Sequence, residues 1–109
     1  MEILFADPHL REAILLDRAF PGMPVPIMAR ARRMVRLLEA MPDLRTLKNW
    51  KSARFRPCRG RRGVYDIGLK DRHHLLVRVD ETLTPPAITI IGIDHEPQQA
   101  AGELARENA

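Results

Sequence analysis

Three stretches in the second half of the chain have the residue pattern of strands, and each is closed by residues that stop a strand. Val64 to Leu69 sets Tyr65, Ile67 and Leu69 against Val64, Asp66 and Gly68, and Leu75, Val77 and Val79 then alternate with Leu76, Arg78 and Asp80. Successive side chains of a strand point to opposite faces, so a period of two buries one face of a sheet. Only Lys70-Asp71-Arg72 separates these two runs, which makes them a hairpin. Glu81 to Pro86 is a longer turn, because Pro85-Pro86 cannot join a ladder. The β-branched run from Ala87 to Ile93 reads as a third strand buried on both faces. An antiparallel meander results, and the rest of the chain must pack on it.

The first half is helical. Ile3 to Phe5 suits a short strand, and Asp7-Pro8 reads as an N-cap followed by proline at the first helical position, opening a helix to about Asp17. Three prolines and a glycine between Phe20 and Pro26 make a connecting loop. From Pro26 onward, Ile27, Ala31, Met34, Val35, Leu38 and Met41 recur at spacings of three and four, which predicts a second amphipathic helix ended by Pro42. Arg30, Arg32, Arg33 and Arg36 fall on its remaining surface and read as a solvated face. The fold class expected is α+β, two N-terminal helices packed on a small, mainly antiparallel twisted sheet. With 109 residues the chain holds one core, so residues 1–95 form one domain and the polar stretch 96–109 is a frayed tail or a weakly docked helix.

Charge narrows the function classes. Between Leu44 and Tyr65 stand eight basic residues (Arg45, Lys48, Lys51, Arg54, Arg56, Arg59, Arg61, Arg62) and no acid, in a chain of net charge +4. Such a block favours a polyanion, nucleic acid before membrane, since no apolar run approaches spanning length. Cys58 is the only cysteine and forms no internal disulfide, and no signal-peptide pattern opens the chain, which fits a cytoplasmic protein. His9, His73, His74 and His95 lack the spacing of a zinc site, so no metal or other cofactor is expected.

Three segments carry a resemblance: Phe55 to Ile67 with its Arg59-Gly60-Arg61-Arg62-Gly63 turn, His73 to Asp80, and Ile88 to His95. They resemble the core of the RelE/ParE toxin superfamily, its HigB branch above all. The resemblance implies the toxin of a type II toxin–antitoxin pair, an endoribonuclease that cleaves mRNA on the ribosome without a metal by attack of the ribose 2′-OH on the adjacent phosphate. It also implies a helix-turn-helix antitoxin as partner in a hetero-oligomer.

That chemistry needs a base for the 2′-OH, positive charge on the phosphorane and an acid for the departing 5′-oxygen. Arg59 matches the basic residue of the family turn and His95 the terminal histidine, which makes this pair the expected catalytic residues. Arg56, Arg61, Arg62, Tyr65, His74 and Arg78 are expected to bind RNA or phosphate, Tyr65 by stacking. Arg78 has ion pairing with Asp66 or Asp80 as its structural alternative. Trp50 and Phe55 are further aromatics able to stack, with core packing the simpler account of both. Arg45, Lys48, Lys51 and Arg54 form a more general ribosome or nucleic-acid surface. The chain departs from the family pattern at Asp94, where relatives carry an aromatic, and at His74, where they carry arginine. Two alternatives stay open: a DNA gyrase inhibitor of the ParE branch, which lacks the histidine, and a non-catalytic basic module.

Overall fold

The computed structural model describes residues 1–95, and the expected polar tail, 96–109, lies outside the described residues. The elements run β1 (Glu2–Phe5), α1 (Pro8–Leu15), α2 (Val25–Ala40), α3 (Leu44–Lys48), a turn of 3₁₀ helix (Lys51–Ala53), β2 (Arg56–Pro57), β3 (Val64–Gly68), β4 (His73–Asp80) and β5 (Ala87–His95). The class is α+β, with one five-stranded sheet in the order β1-β5-β4-β3-β2.

The meander from β2 to β5 is antiparallel throughout, but β1 pairs parallel to β5, with Phe5 opposite Ile90, so the sheet is mixed. Alternation decides which side chains meet the helices. Ile67, Leu75, Val77, Ile88 and Ile90 are fully buried against Leu10, Ala13, Met28, Ala31, Val35 and Leu38 of α1 and α2. Asp66, His74, Leu76 and Arg78 lie on the other face of β3 and β4. The third strand is less buried than expected, since its buried residues are Ala87, Ile88 and Ile90. One extra residue, Ile91, bulges where Leu76 pairs with Gly92 and Val77 with Ile90.

The expectation of two helices is corrected to three. Asp43 caps α3, accepting hydrogen bonds from the Thr46 amide (2.9 Å) and hydroxyl (2.8 Å), while Leu44 and Leu47 enter the core. Five residues are too few to show a helical period, so this element left no pattern beyond its cap. These hydrogen bonds, the amide first, hold the Asp43 carboxyl below its ordinary 3.8. A depressed carboxylate stabilises the fold above the unfolded-state value and loses that contribution as pH falls through the folded one. Asp43→Asn is therefore expected to flatten the acid limb of a thermal-stability profile below about pH 4. An unchanged acid limb would show that the cap does not couple to folding.

A second correction concerns α2. Arg32 is not part of a solvated face: Nε donates to the Ala13 carbonyl (3.1 Å), Nη2 donates to the Arg18 carbonyl (2.8 Å), and Nη1 pairs with Asp17 (3.1 Å). It ties the C-terminal end of α1 to α2, where the negative end of the helix dipole favours a cation. The chain turns there because Asp17 takes a left-handed φ of 56°, which ends α1 two residues earlier than expected.

Candidate nucleic-acid site

The hairpin between β3 and β4 is tighter than its sequence suggests. The His73 amide donates to the Lys70 carbonyl (3.1 Å), and Asp71 and Arg72 between them have φ of 52° and 64°. Two consecutive left-handed residues make a type I′ turn, a position that prefers Asn or Gly, so Arg72 stands there at a cost of about 1 kcal/mol. Arg54 ends the 3₁₀ turn with a left-handed φ of 52°. Its aliphatic stem lies on Gly68, where an added Cβ would come within 2.7 Å of Arg54 Cδ.

These two backbone turns bring Arg54 and Arg72 together with Arg56 and His74 around one depression of about 390 Å³. His74 Nδ1 lies 3.6 Å from Asp66 Oδ1, and Arg56 Nε lies 3.4 Å from the same oxygen. The His74 and Asp66 side chains are only 14% and 18% exposed. A guanidinium and an imidazole at the wall of a basic depression thus share one carboxylate oxygen. Such a set can hold a phosphate and move a proton beside it.

His95 lies at the same end of the sheet but on the other face. Register pairs His74 with Asp94 and His73 with His95. The His73 and His95 rings stack at 4.4 Å and 30°. His73 Nδ1 is 3.1 Å from the Lys70 carbonyl and 3.0 Å from that of Asp71, so Nδ1 carries hydrogen and the lone pair of the neutral ring sits on Nε2. Asp94 faces His74 rather than its neighbour His95, as strand alternation requires.

Arg59 is not brought to His95. The Cys58–Gly63 turn lies beyond Val64, in the row where β3 pairs with Arg78 of β4, whereas His95 pairs with His73 at the far end of β4. Those rows, 73 and 78, are roughly 17 Å apart along the strand. Both β3 and β5 are antiparallel to β4 and so run the same way, which sends the residues before β3 and the residues ending β5 to opposite ends. The fold therefore does not bring the two expected catalytic residues together. Arg61 and Arg62 stay with Arg59, lining a separate shallow depression with Pro57, Cys58 and Tyr65.

Tyr65 borders that depression but has one ring face covered by Phe55, with centroids 4.5 Å apart and planes at 14°. Arg78 stands exposed at the same end, opposite Val64 and Thr89; Asp66, one of the two acids offered as its alternative partner, instead faces Arg56 and His74. Arg45, Lys48 and Lys51 are exposed on α3 and the 3₁₀ turn, as a general basic surface requires. Burial pushes the Cys58 thiol up, with the Asp66 carboxylate adding to the effect, so Cys58 stays protonated and unsuited to nucleophilic work. Among the described residues, no three His, Cys, Asp or Glu side chains form a metal-binding group.

Sequence reasoning missed Arg72, and it left Arg30 and Arg33 as solvated charge. Arg30 and Arg33 instead line a cleft of about 500 Å³ together with Trp50, Arg54 and Arg72. The only signal for Arg72 was the brevity of the Lys70-Asp71-Arg72 connection, which forces a two-residue turn.

Gly68 supplies a test of this geometry. Gly68→Ala is expected to push Arg54 off its seat without removing its charge, weakening binding of a short single-stranded RNA about tenfold while the melting temperature shifts by a few degrees. Unchanged binding, measured by fluorescence anisotropy, would show that the position of Arg54 is unimportant.

Comparison with protein-family models, with curated proteins and with solved structures gives no match to this chain.

Proposed function

We propose that this chain is an endoribonuclease of the toxin–antitoxin type, acting on mRNA by 2′-OH attack on the phosphodiester, with its reaction centred on Arg54, Arg56, Arg72 and His74. The observation that carries the reading is the convergence of three guanidiniums on one imidazole that is backed by Asp66. In this reading the guanidiniums hold the non-bridging phosphate oxygens and gain strength as charge builds on the phosphorane. His74 takes the 2′-OH proton as the oxygen bonds to phosphorus. Solvent at the open mouth of the depression gives a proton to the 5′-oxygen as its bond to phosphorus breaks, leaving a cyclic phosphate; His95, on the other face of the sheet, takes no part in this step. The HigB-like assignment, the ribosome as the place of action and the helix-turn-helix antitoxin belong to the same proposal and rest on the sequence resemblance.

Primer extension on translated mRNA tests it. Cleavage is expected for the unaltered protein, strong loss for Arg56→Ala, and near-normal cleavage for Arg59→Ala and His95→Gln. Loss in Arg59→Ala with retention in Arg56→Ala would move the site to the glycine-rich turn. No cleavage, together with loss of gyrase supercoiling, would select the gyrase-inhibitor reading in its place. Binding of RNA with neither activity would leave a non-catalytic module.

A further inference from the structure

The cleft between α2 and the β3–β4 turn has a composition that phosphate binding alone does not explain. Its wall is apolar: Met34 and Leu37 from α2, Trp50 ahead of the 3₁₀ turn, and Leu69 at the end of β3. Its rim carries four guanidiniums, Arg30, Arg33, Arg54 and Arg72, against a single carboxylate, Asp71. Arg54 and Arg72 also line the His74 depression, so the two spaces adjoin. On the other side Arg30 and Arg33 line a shallow depression with Lys70, which extends the same basic track along α2.

A ligand matched to this surface is flat and apolar in one part and multiply anionic in another, repeated along a line. Single-stranded nucleic acid has that chemistry, because its bases stack on aromatic and apolar faces while its phosphates follow a basic groove. A volume of about 500 Å³ is within the usual range of ligand pockets, about 300–1000 Å³. An acidic peptide matches the rim but supplies no flat partner for Trp50, and a lipid surface does not enter a cleft.

We infer that this cleft is a nucleotide subsite, in which a base of single-stranded RNA stacks on Trp50 and its neighbouring phosphates pair with Arg30, Arg33, Arg54 and Arg72. The inference rests on the ribonuclease reading for its substrate class. It adds a place for the nucleotide beside the one whose phosphate reacts. In this arrangement α2 is an RNA-binding element, and the arginines of its Arg30–Arg33 edge carry the strand away from His74.

Trp50 is the only tryptophan in the chain, so its emission reports on this cleft alone. The probe is a 2′-O-methyl oligoribonucleotide of mixed sequence, which has no free 2′-OH to attack. Titrated into the full chain at low salt, it is expected to quench Trp50. Arg30→Ala and Arg33→Ala, both at exposed positions, are each expected to weaken binding and to lower the slope of log affinity against log salt by about 0.7. Loss of the stack in Trp50→Ala is expected to weaken binding by about 5- to 150-fold, read by anisotropy. Because Trp50 packs partly against the core, Trp50→Phe is the companion variant, and it is expected to recover most of the affinity. Binding that leaves Trp50 emission and the Arg33→Ala affinity unchanged would overturn the subsite, as would equal quenching by poly-glutamate. Cleavage of translated mRNA without any Trp50 response would overturn the subsite alone. A Trp50 response without cleavage would overturn the ribonuclease reading and leave the subsite standing.

Discussion

His74→Gln is expected to lower mRNA cleavage by about 10²- to 10⁴-fold, the usual contribution of a positioned general base or acid. Glutamine keeps a polar side chain of similar length but cannot cycle a proton near neutrality. His74 also faces away from the helix-packed side of the sheet, so the fold is expected to survive the change. The measurement is paired: primer extension for cleavage, and thermal unfolding to show that the melting temperature stays within a few degrees. A variant that stays folded and cleaves normally would exclude His74 from the reaction. The neighbouring Asp66→Asn then separates proton transfer from positioning. A positioning role predicts a smaller loss accompanied by a shifted pH–rate profile, whereas loss of packing alone predicts an unchanged profile.

Leu75→Ala, one residue along β4, is expected to have the opposite consequence. Leu75 is fully buried in the central strand, between Ile67 of β3 and Ile93 of β5. Removing its branched end costs the transfer energy of the lost carbons and leaves a cavity that flanking strands cannot close, about 2–5 kcal/mol in all. Against the 5–15 kcal/mol that holds a typical domain together, that is a large fraction of the total. A fall in melting temperature of about 10 °C or more is therefore expected. Retained stability would mean that the core repacks around the gap. The two variants, adjacent in sequence and on opposite faces of the strand, separate what folds the chain from what acts.

Much of the fold was legible because it depends on local period. The alternation in Val64 to Leu69 and in Leu75 to Asp80 gave the central hairpin, and Asp7-Pro8 gave the start of α1 with its cap, where Asp7 Oδ1 accepts from the His9 amide at 2.8 Å. Element ends set by single residues were less so. Asp17 ended α1 early through a left-handed φ, and α3 was too short to repeat. The parallel pairing of β1 with β5 joins residues 2–5 to residues 87–90, a contact that no local pattern encodes.

The candidate site divides along the same line. Sequence alone determined that one stretch of the chain is strongly basic, that histidines stand at the ends of two strands, and that His74 and Asp94 depart from the pattern the chain resembles. Only the tertiary structure decided which of these meet. Strand direction separates Arg59 from His95, because β3 and β5 run the same way and the residues before β3 lie at the opposite end of the sheet from the residues that finish β5. Left-handed turns at Arg54 and Arg72 bring those side chains to His74, and α2 adds Arg30 and Arg33 from far away in the chain. Charge is a property of composition and can be read residue by residue; proximity is set by register, turn geometry and packing, and these are fixed only when the whole sheet closes over its core.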